Sequence, residues 1–210
     1  MSGSYHVGFI MASQRQPRAG DQITNFVCSI IEQRIANTLG SASYKLQIVD
    51  LMEINLPFFD EPGIPQMITE TAGYRHEHTR KWSTLIKTFD AIVFVTPQYN
   101  WNIPAGLKNA IDYLYHEWTG KPAMVVSYGG HGGDKADDAL RLTMGGALKL
   151  RIVEQRVQLT FPGHGTLVKA AKGEDLGLDA TKDDAVWSDQ RDTVGKAWEE
   201  LTDLLNNKDP

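Results

Sequence analysis

The sequence has little cysteine, no block of basic residues and no long apolar run. Cys28 is the only cysteine among 210 residues, so no internal disulfide can form, as is usual in a reducing compartment. Lysine and arginine are dispersed and the formal net charge is −5. This argues against nucleic acid as a partner, because phosphate neutralisation needs clustered cations. The apolar run at residues 7–11 is short and follows no basic residue, so it predicts a strand rather than a signal peptide. No stretch is long enough to span a bilayer, and we expect a cytoplasmic protein with no membrane partner.

Three common ligand signatures are also missing. Neither G-x-G-x-x-G nor G-x-x-x-x-G-K-[ST] follows the first predicted strand. His76-Glu77-His78 lacks the spacing of a zinc-binding H-E-x-x-H helix, and we expect no metal. A dinucleotide-binding fingerprint, a P-loop and a metalloprotease helix are therefore excluded as the basis of function.

Five apolar segments alternate with helical patterns and predict one parallel sheet. The first, third and fourth are almost continuously apolar, as in strands that helices cover on both faces, whereas the second and fifth alternate and suit sheet edges. This favours an α/β fold, a flavodoxin-like three-layer sandwich with a five-stranded parallel sheet in the order 2-1-3-4-5. The predicted strands are residues 7–11, 44–49, 91–95, 123–127 and 152–159.

Apolar residues with helical spacing predict the helices, and the remaining segments predict surface structure. We expect a single domain over residues 1–210. The predicted helices cover residues 23–31, the segment after Pro104, residues 140–148 and a C-terminal helix at 185–206. The proline-rich segment 51–75 and the Gly- and Asp-rich segment 163–184 are predicted as surface excursions, the second of them as a surface loop.

Two loops follow the central strands and predict where a ligand binds. Ligands of open α/β sheets sit outside the carboxyl ends of the strands. The first loop is aromatic and amide-rich, and the second is mostly glycine, which lets the backbone approach a ligand closely. We expect them to hold a flat polar ring by its face and its edge. The loops are Thr96-Pro97-Gln98-Tyr99-Asn100-Trp101 and Ser127-Tyr128-Gly129-Gly130-His131-Gly132-Gly133. Trp101 either borders this site or covers an edge of the core.

The loop at residues 12–20 predicts an anion site. It joins the first strand to a helix that begins near Asp21, and backbone N–H groups at a helix N-terminus favour an anion. Ser13 adds a hydroxyl donor, and Arg15 and Arg18 add charged donors suited to phosphate oxygens. The alternative is a solvated loop with ordinary surface arginines.

The middle of the chain resembles the NAD(P)H-dependent FMN reductase family. The likeness rests on Thr96-Pro97-Gln98-Tyr99-Asn100, Pro104 and Leu107-Lys108-Asn109-Ala110-Ile111-Asp112. Ala12-Ser13-Gln14-Arg15 is similar to the G-S-x-R phosphate motif of that family. With Tyr115-His116-Glu117-Trp118, the run 93–133 most resembles the yeast and fungal quinone reductase branch. The likeness covers about residues 5–160. It departs at Ala12, where Gly is usual, and at Arg18, where many members carry Ser.

The resemblance implies the following site. Ser13, Arg15 and Arg18 would hold the phosphate of a non-covalent FMN. Two further groups would contact the isoalloxazine. Pro97, Gln98, Tyr99 and Asn100 would line the ring and present backbone N–H groups near its N5 and O4 edge. Tyr128, Gly129, Gly130 and His131 would approach its pyrimidine side. No side chain would act as a general base.

The resemblance also implies an activity. The family's enzymes are oxidoreductases, so we expect two electrons to pass from NAD(P)H through FMN to quinones or similar acceptors in a ping-pong sequence. The resemblance also implies a homodimer with the helix after Pro104 as a contact. Two alternatives remain open. An electron-carrier flavodoxin usually has a Ser/Thr-rich phosphate loop, so Arg15 and Arg18 argue against it. A redox-sensing interaction module, whose partner reads the flavin state, is compatible with the same residues.

Overall fold

A computed structural model describes residues 3–38 and 42–207, and its centre is a parallel sheet. The order along the sheet is β2-β1-β3-β4-β5, and the sixth described strand, β6, also pairs with β4. All the pairings are parallel. The predicted order 2-1-3-4-5 is confirmed. The strands are β1 (Ser4–Met11), β2 (Ser43–Asp50), β3 (Ala91–Pro97), β4 (Pro122–Gly129), β5 (Arg151–Ile152) and β6 (Val157–Thr160).

Helices cover both faces of the sheet, as its apolar central strands require. One core layer contains side chains of α1, α6 and α7, and the other contains side chains of α3, α4 and α5. Alternate residues of β3 enter opposite layers, Val93 the first and Phe94 the second. The helices are α1 (Gly20–Asn37), α2 (Leu51–Ile54), α3 (Glu77–Lys87), α4 (Ala105–Asp112), α5 (Asp134–Leu140), α6 (Gly163–Lys172) and α7 (Arg191–Asn206). Among the described residues, no helix has the length and apolar content to cross a membrane.

The fifth predicted strand, residues 152–159, is two short strands rather than one. The chain leaves the sheet between β5 and β6, where side chains replace strand partners. Arg141 Nη1 donates to the Val153 carbonyl at 2.7 Å, and the Gln155 N–H donates to Glu200 Oε2 at 2.9 Å. Three consecutive polar residues, Glu154, Gln155 and Arg156, lie in this break and interrupt the alternation on which the single predicted strand rested.

The segment at 163–184 was wrongly predicted as a surface loop, because its first ten residues form α6. Its many glycines and aspartates suggested a loop, but Leu167, Ala170 and Ala171 have the i, i+3, i+4 spacing of an amphipathic helix. The C-terminal helix starts later than predicted. Trp187 has a left-handed backbone with φ 62°, and a short 3₁₀ turn (Ser188–Gln190) precedes α7. The helix predicted at 140–148 is the end of α5 followed by a π-helical segment, Arg141–Ala147.

Candidate functional site

A cleft lies at the carboxyl ends of β1, β3 and β4, where the three predicted loops meet. Nine of the eleven predicted site residues line it, and the other two, Asn100 and His131, are exposed beside it. The nine are Ser13, Arg15, Arg18, Pro97, Gln98, Tyr99, Tyr128, Gly129 and Gly130. The structure thus brings together the predicted anion loop, residues 12–20, and the two loops predicted to bind a ring, which are far apart in the chain.

The first turn of α1 forms one end of the cleft. Ala19 precedes the helix and makes no side-chain cap, so the amides of the first turn lack the usual capping acceptor. The positive end of an 18-residue helix therefore faces this region, and such an end favours an anion. Ser13 is buried beside it, and its Oγ lies 2.9 Å from the Tyr99 hydroxyl. This hydrogen bond joins the anion loop to the aromatic loop.

Arg18 is tied to the protein rather than free for a ligand. Its guanidinium donates twice to Asp50, at 2.9 and 2.5 Å, and also to the Ser13 carbonyl at 2.8 Å and to Asp21 at 2.7 Å. The hydrogen bonds to Asp50 raise the pKa of Arg18. Burial alone would raise the pKa of Asp50, but the Arg18 and Met52 donors bring it below its ordinary value. Arg18 therefore holds the anion loop in shape, with few donors left over.

Arg15, unlike Arg18, is not held by carboxylates among the residues that the structure describes. Its side chain is exposed, and its guanidinium carbon lies 4.1 Å from the centre of the Tyr99 ring. Within residues 3–38 and 42–207 it forms no ion pair with a carboxylate. A guanidinium stacked on an aromatic ring keeps its donors in one plane, and these donors are available at the mouth of the cleft.

The Tyr128 hydroxyl is a buried polar atom without a partner. It makes no hydrogen bond in the described part of the chain, although its residue is only 5% exposed. Burial raises the pKa of this phenol, and the Ser13 hydroxyl lies near enough to offset part of that rise, although it is outside hydrogen-bonding geometry. The hydroxyl lies next to Gly20, the first residue of α1. Unpaired buried donors are rare and costly, so this hydroxyl is a candidate donor to an acceptor bound at the first turn of α1.

The glycines of the loop after β4 have two different roles. Gly133 has φ +77°, and a Cβ there would lie 2.8 Å from both Ser127 Cβ and the Tyr128 nitrogen, so this glycine is required by the turn itself. A Cβ added at Gly130 would meet nothing within 4 Å beyond its own chain neighbours, and Gly130 lines the cleft. The space beside Gly130 is therefore open for a ligand.

The backbone amides around the cleft are only partly available. The Gln98 N–H donates to the Tyr128 carbonyl at 3.1 Å, and the Tyr99 N–H donates to the Asn102 carbonyl at 2.9 Å. Since proline has no N–H, the expectation that residues 97–100 present amides to a ring is corrected to Asn100 alone. The N–H groups of Gly130 and His131 also have no acceptor among the described residues.

One wall of the cleft was not predicted from the sequence. Phe161, Leu167, Ala170 and Ala171 line it, three of them from α6. Gly173, at the end of α6, has φ +66°, and a Cβ there would lie 2.9 Å from Pro17 Cβ, so α6 packs closely on the anion loop. The helical spacing of Leu167, Ala170 and Ala171 was the signal that could have revealed this wall.

The arrangement fits a flavin mononucleotide. One end of the cleft has a helix terminus, Arg15 and an unpartnered tyrosine hydroxyl for a phosphate. The α6 wall is apolar, and the free amides of Asn100, Gly130 and His131 lie at the other loops, where a polar ring edge needs donors. Among the described residues no cluster of three or more His, Cys, Asp or Glu side chains could hold a metal ion.

Comparisons with known proteins agree with this arrangement. Residues 5–161 match the model of the family described as NADPH-dependent FMN reductase. The chain is 48% identical over 149 residues to the NAD(P)H-dependent FMN reductase LOT6 of Saccharomyces cerevisiae, covering 70% of this chain and 76% of that one. It is 31% identical over 151 residues to a quinone reductase of Pseudomonas putida, covering 69% and 72%.

Among solved structures, the flavoenzyme NAD(P)H:(acceptor) oxidoreductase FerB of Paracoccus denitrificans has the same fold. Its TM-score is 0.66 at 18% identity, and the match covers 97% of this chain and 98% of that one. The family match and the yeast relative give the activity as FMN-dependent oxidoreduction with NAD(P)H as co-substrate. The chain belongs to the NADPH-dependent FMN reductase family.

Proposed function

We propose that this enzyme holds FMN non-covalently in the cleft and passes two electrons from NAD(P)H to quinones or similar acceptors. The Tyr128 hydroxyl carries the proposal, because a phosphate oxygen would supply the acceptor that this buried donor lacks. Arg15, Ser13 and the first turn of α1 would complete the phosphate site, and Arg18 would keep the loop in place through Asp50.

The ring end of the cleft would bind the isoalloxazine. Pro97 and Tyr99, which line the cleft, would contact it, while Gly130 and the exposed neighbours Asn100 and His131 would offer their amides to its polar edge. When bound, FMN accepts a hydride from the nicotinamide and delivers two electrons to the acceptor. Donors fixed beside a ring that gains negative charge favour its reduced form. The protein thus supplies binding and electrostatics, and no side chain is assigned as a general base.

Flavin release tests the cofactor assignment. Heat or acid treatment of the purified protein, followed by chromatography, should yield FMN. Recovery of FAD as the main flavin, or of none after reconstitution, contradicts the assignment.

Initial rates test the reaction sequence. Donor and acceptor would use the same exposed ring face, so the oxidised nicotinamide must leave before the quinone binds. Rates measured against NADPH and a small quinone should give parallel double-reciprocal lines. Intersecting lines would show that both substrates bind together, which one shared face does not allow.

We also propose a cytoplasmic homodimer. Phe58, Ile64 and Met67 are 87%, 68% and 78% exposed in the segment beside α4, which is costly for three apolar side chains of one isolated chain. A second copy would cover them together with α4. Light scattering should give a dimeric mass for the native chain and a monomeric mass for Phe58→Glu. A cytoplasmic location would supply the NAD(P)H donor, and its reducing environment suits a chain in which Cys28 is a buried free thiol.

A further inference from the structure

Trp101 occupies an unusual position at the tip of the aromatic loop. Tyr99 and Asn102 exchange two main-chain hydrogen bonds, of 2.9 and 3.0 Å, so Asn100 and Trp101 form a two-residue hairpin turn. Both turn residues are left-handed, with φ 48° and 64°. Asn-Gly is the sequence preferred for such a turn, whereas a tryptophan is strained there. The indole is also 74% exposed, which excludes the alternative that it covers an edge of the core.

Lys135 is held next to this indole. Its Nζ lies 5.8 Å from the Trp101 ring centre. The Gln98 side chain fixes the pair, because its Oε1 accepts a hydrogen bond of 2.9 Å from the Lys135 N–H and thus ties the hairpin to α5. The ammonium also contacts Asp134 at 3.0 Å, but the two side chains are 42% and 40% exposed, so that ion pair is weak and exchangeable.

The chemistry of this pair fits an aromatic ring that carries anionic groups. An exposed indole offers a stacking face, and an adjacent ammonium binds phosphate oxygens. A tryptophan that is strained and exposed at once is expected at a ligand contact rather than in a passive loop. The hairpin continues directly from Gln98 and Tyr99, which line the cleft, so the pair lies at its mouth.

The two substrates of the enzyme differ in whether they carry an aromatic ring with phosphate groups attached. A reduced nicotinamide donor carries an adenine ring with phosphates attached, whereas a simple quinone has a flat ring and no phosphate. We propose that Trp101 and Lys135 bind the adenosine-phosphate portion of the NAD(P)H donor, with the indole stacked on adenine and the ammonium on its phosphates. This rests on the proposed flavin site, which places the nicotinamide ring in the adjacent cleft.

Trp101→Gly provides a sharp test, because glycine relieves the strain of the turn. The probe is 2′-phospho-ADP-ribose, which is NADPH without its nicotinamide, and its binding to the FMN-loaded enzyme is measured by calorimetry. We expect Trp101→Gly to weaken binding at least fivefold while the thermal midpoint stays equal or rises. Lys135→Gln should weaken binding at least threefold. Lys45→Gln, an exposed lysine on the edge strand β2, makes the same charge change and should leave binding unaltered.

Steady-state kinetics separate the donor from the acceptor. Trp101→Gly and Lys135→Gln should raise the KM for NADPH and leave the KM for a small uncharged quinone unchanged. Unaltered probe binding in Trp101→Gly, or a raised KM for the quinone alone, overturns the inference. The FMN content of each variant is measured alongside. A native protein that holds no FMN refutes the proposed function and this inference with it, whereas full FMN content with unaltered probe binding refutes only the inference.

Discussion

At the scale of single residues, removal of the Tyr128 hydroxyl should affect the stability of the FMN-free protein and the binding of FMN in opposite ways. We expect Tyr128→Phe to leave the free energy of unfolding of the FMN-free protein equal or about 1 kcal/mol higher, because an unpartnered buried hydroxyl costs about 1–3 kcal/mol. The same change should weaken FMN binding by about 1.5–3 kcal/mol, roughly one to two decades in Kd, because a charge-assisted hydrogen bond is lost. Chemical denaturation and FMN titration measure the two effects.

Tyr113→Phe is the matched control. The Tyr113 hydroxyl donates to Asp60 Oδ1 at 2.9 Å, away from the cleft. Its removal should lower the free energy of unfolding by about 1 kcal/mol and leave FMN binding unchanged. If Tyr128→Phe behaved like Tyr113→Phe, the Tyr128 hydroxyl would have no role at the phosphate.

Gly130 and Gly133 make a second contrasting pair. Gly130→Val places its side chain in open space, so the FMN-free protein should keep its stability while bound flavin is depleted. Gly133→Ala forces a Cβ into a left-handed position at about 1–2 kcal/mol, with a clash in addition, and should destabilise the protein itself. Thermal midpoint and flavin absorbance distinguish the two outcomes. Full flavin occupancy in Gly130→Val would show that this loop is only a turn.

At the scale of elements, the anion loop depends on the ion pair between Arg18 and Asp50, whose side chains are both 9% exposed. The pKa of Asp50 is lower in the folded protein than its ordinary value of 3.8, so the pair contributes fully above that value and its contribution is lost as the pH falls through the folded pKa. At neutral pH we expect Asp50→Asn to cost about 1.5–3 kcal/mol.

The stability difference between the native protein and Asp50→Asn should therefore shrink as the pH falls below about 3.8, since protonation of Asp50 removes the same charge. Denaturation curves recorded across this range measure it. Glu77→Gln breaks an exposed pair with Lys81 on α3 and should change stability little at any pH. A difference that stays constant down to about pH 2 would contradict a lowered pKa of Asp50.

The strands and loops show which parts of the structure could be predicted from the sequence. Continuous apolar runs identified β1, β3 and β4 because both faces of these strands are buried, and loops after such strands must meet at one edge. Two details of the structure depend on contacts between residues far apart in the chain. The break between β5 and β6 depends on Arg141 and Glu200, which lie on other elements. The tie from Arg18 to Asp50 joins residues 32 positions apart, so the sequence presented Arg18 as a free cation.

At the scale of the whole molecule, cofactor binding and folding are linked. A ligand that binds only the folded state at about 100 times its Kd adds about 2.7 kcal/mol of stability. For a domain of this size that corresponds to a rise of roughly 5–10 °C in the thermal midpoint. Differential scanning fluorimetry of the FMN-free protein with added FMN should show this rise. An unchanged midpoint at saturating FMN would contradict binding to the folded chain.

The central claim is that the phosphate of FMN lies at the loop that carries Arg15. The most direct test measures the Kd of FMN and of riboflavin, which has no phosphate, for the native protein and for Arg15→Ala. Loss of a charge-assisted hydrogen bond should weaken FMN binding by about 1.5–3 kcal/mol, which is roughly one to two decades in Kd, and should leave riboflavin binding unchanged. Equal losses for both ligands, or no loss for FMN, would contradict the claim.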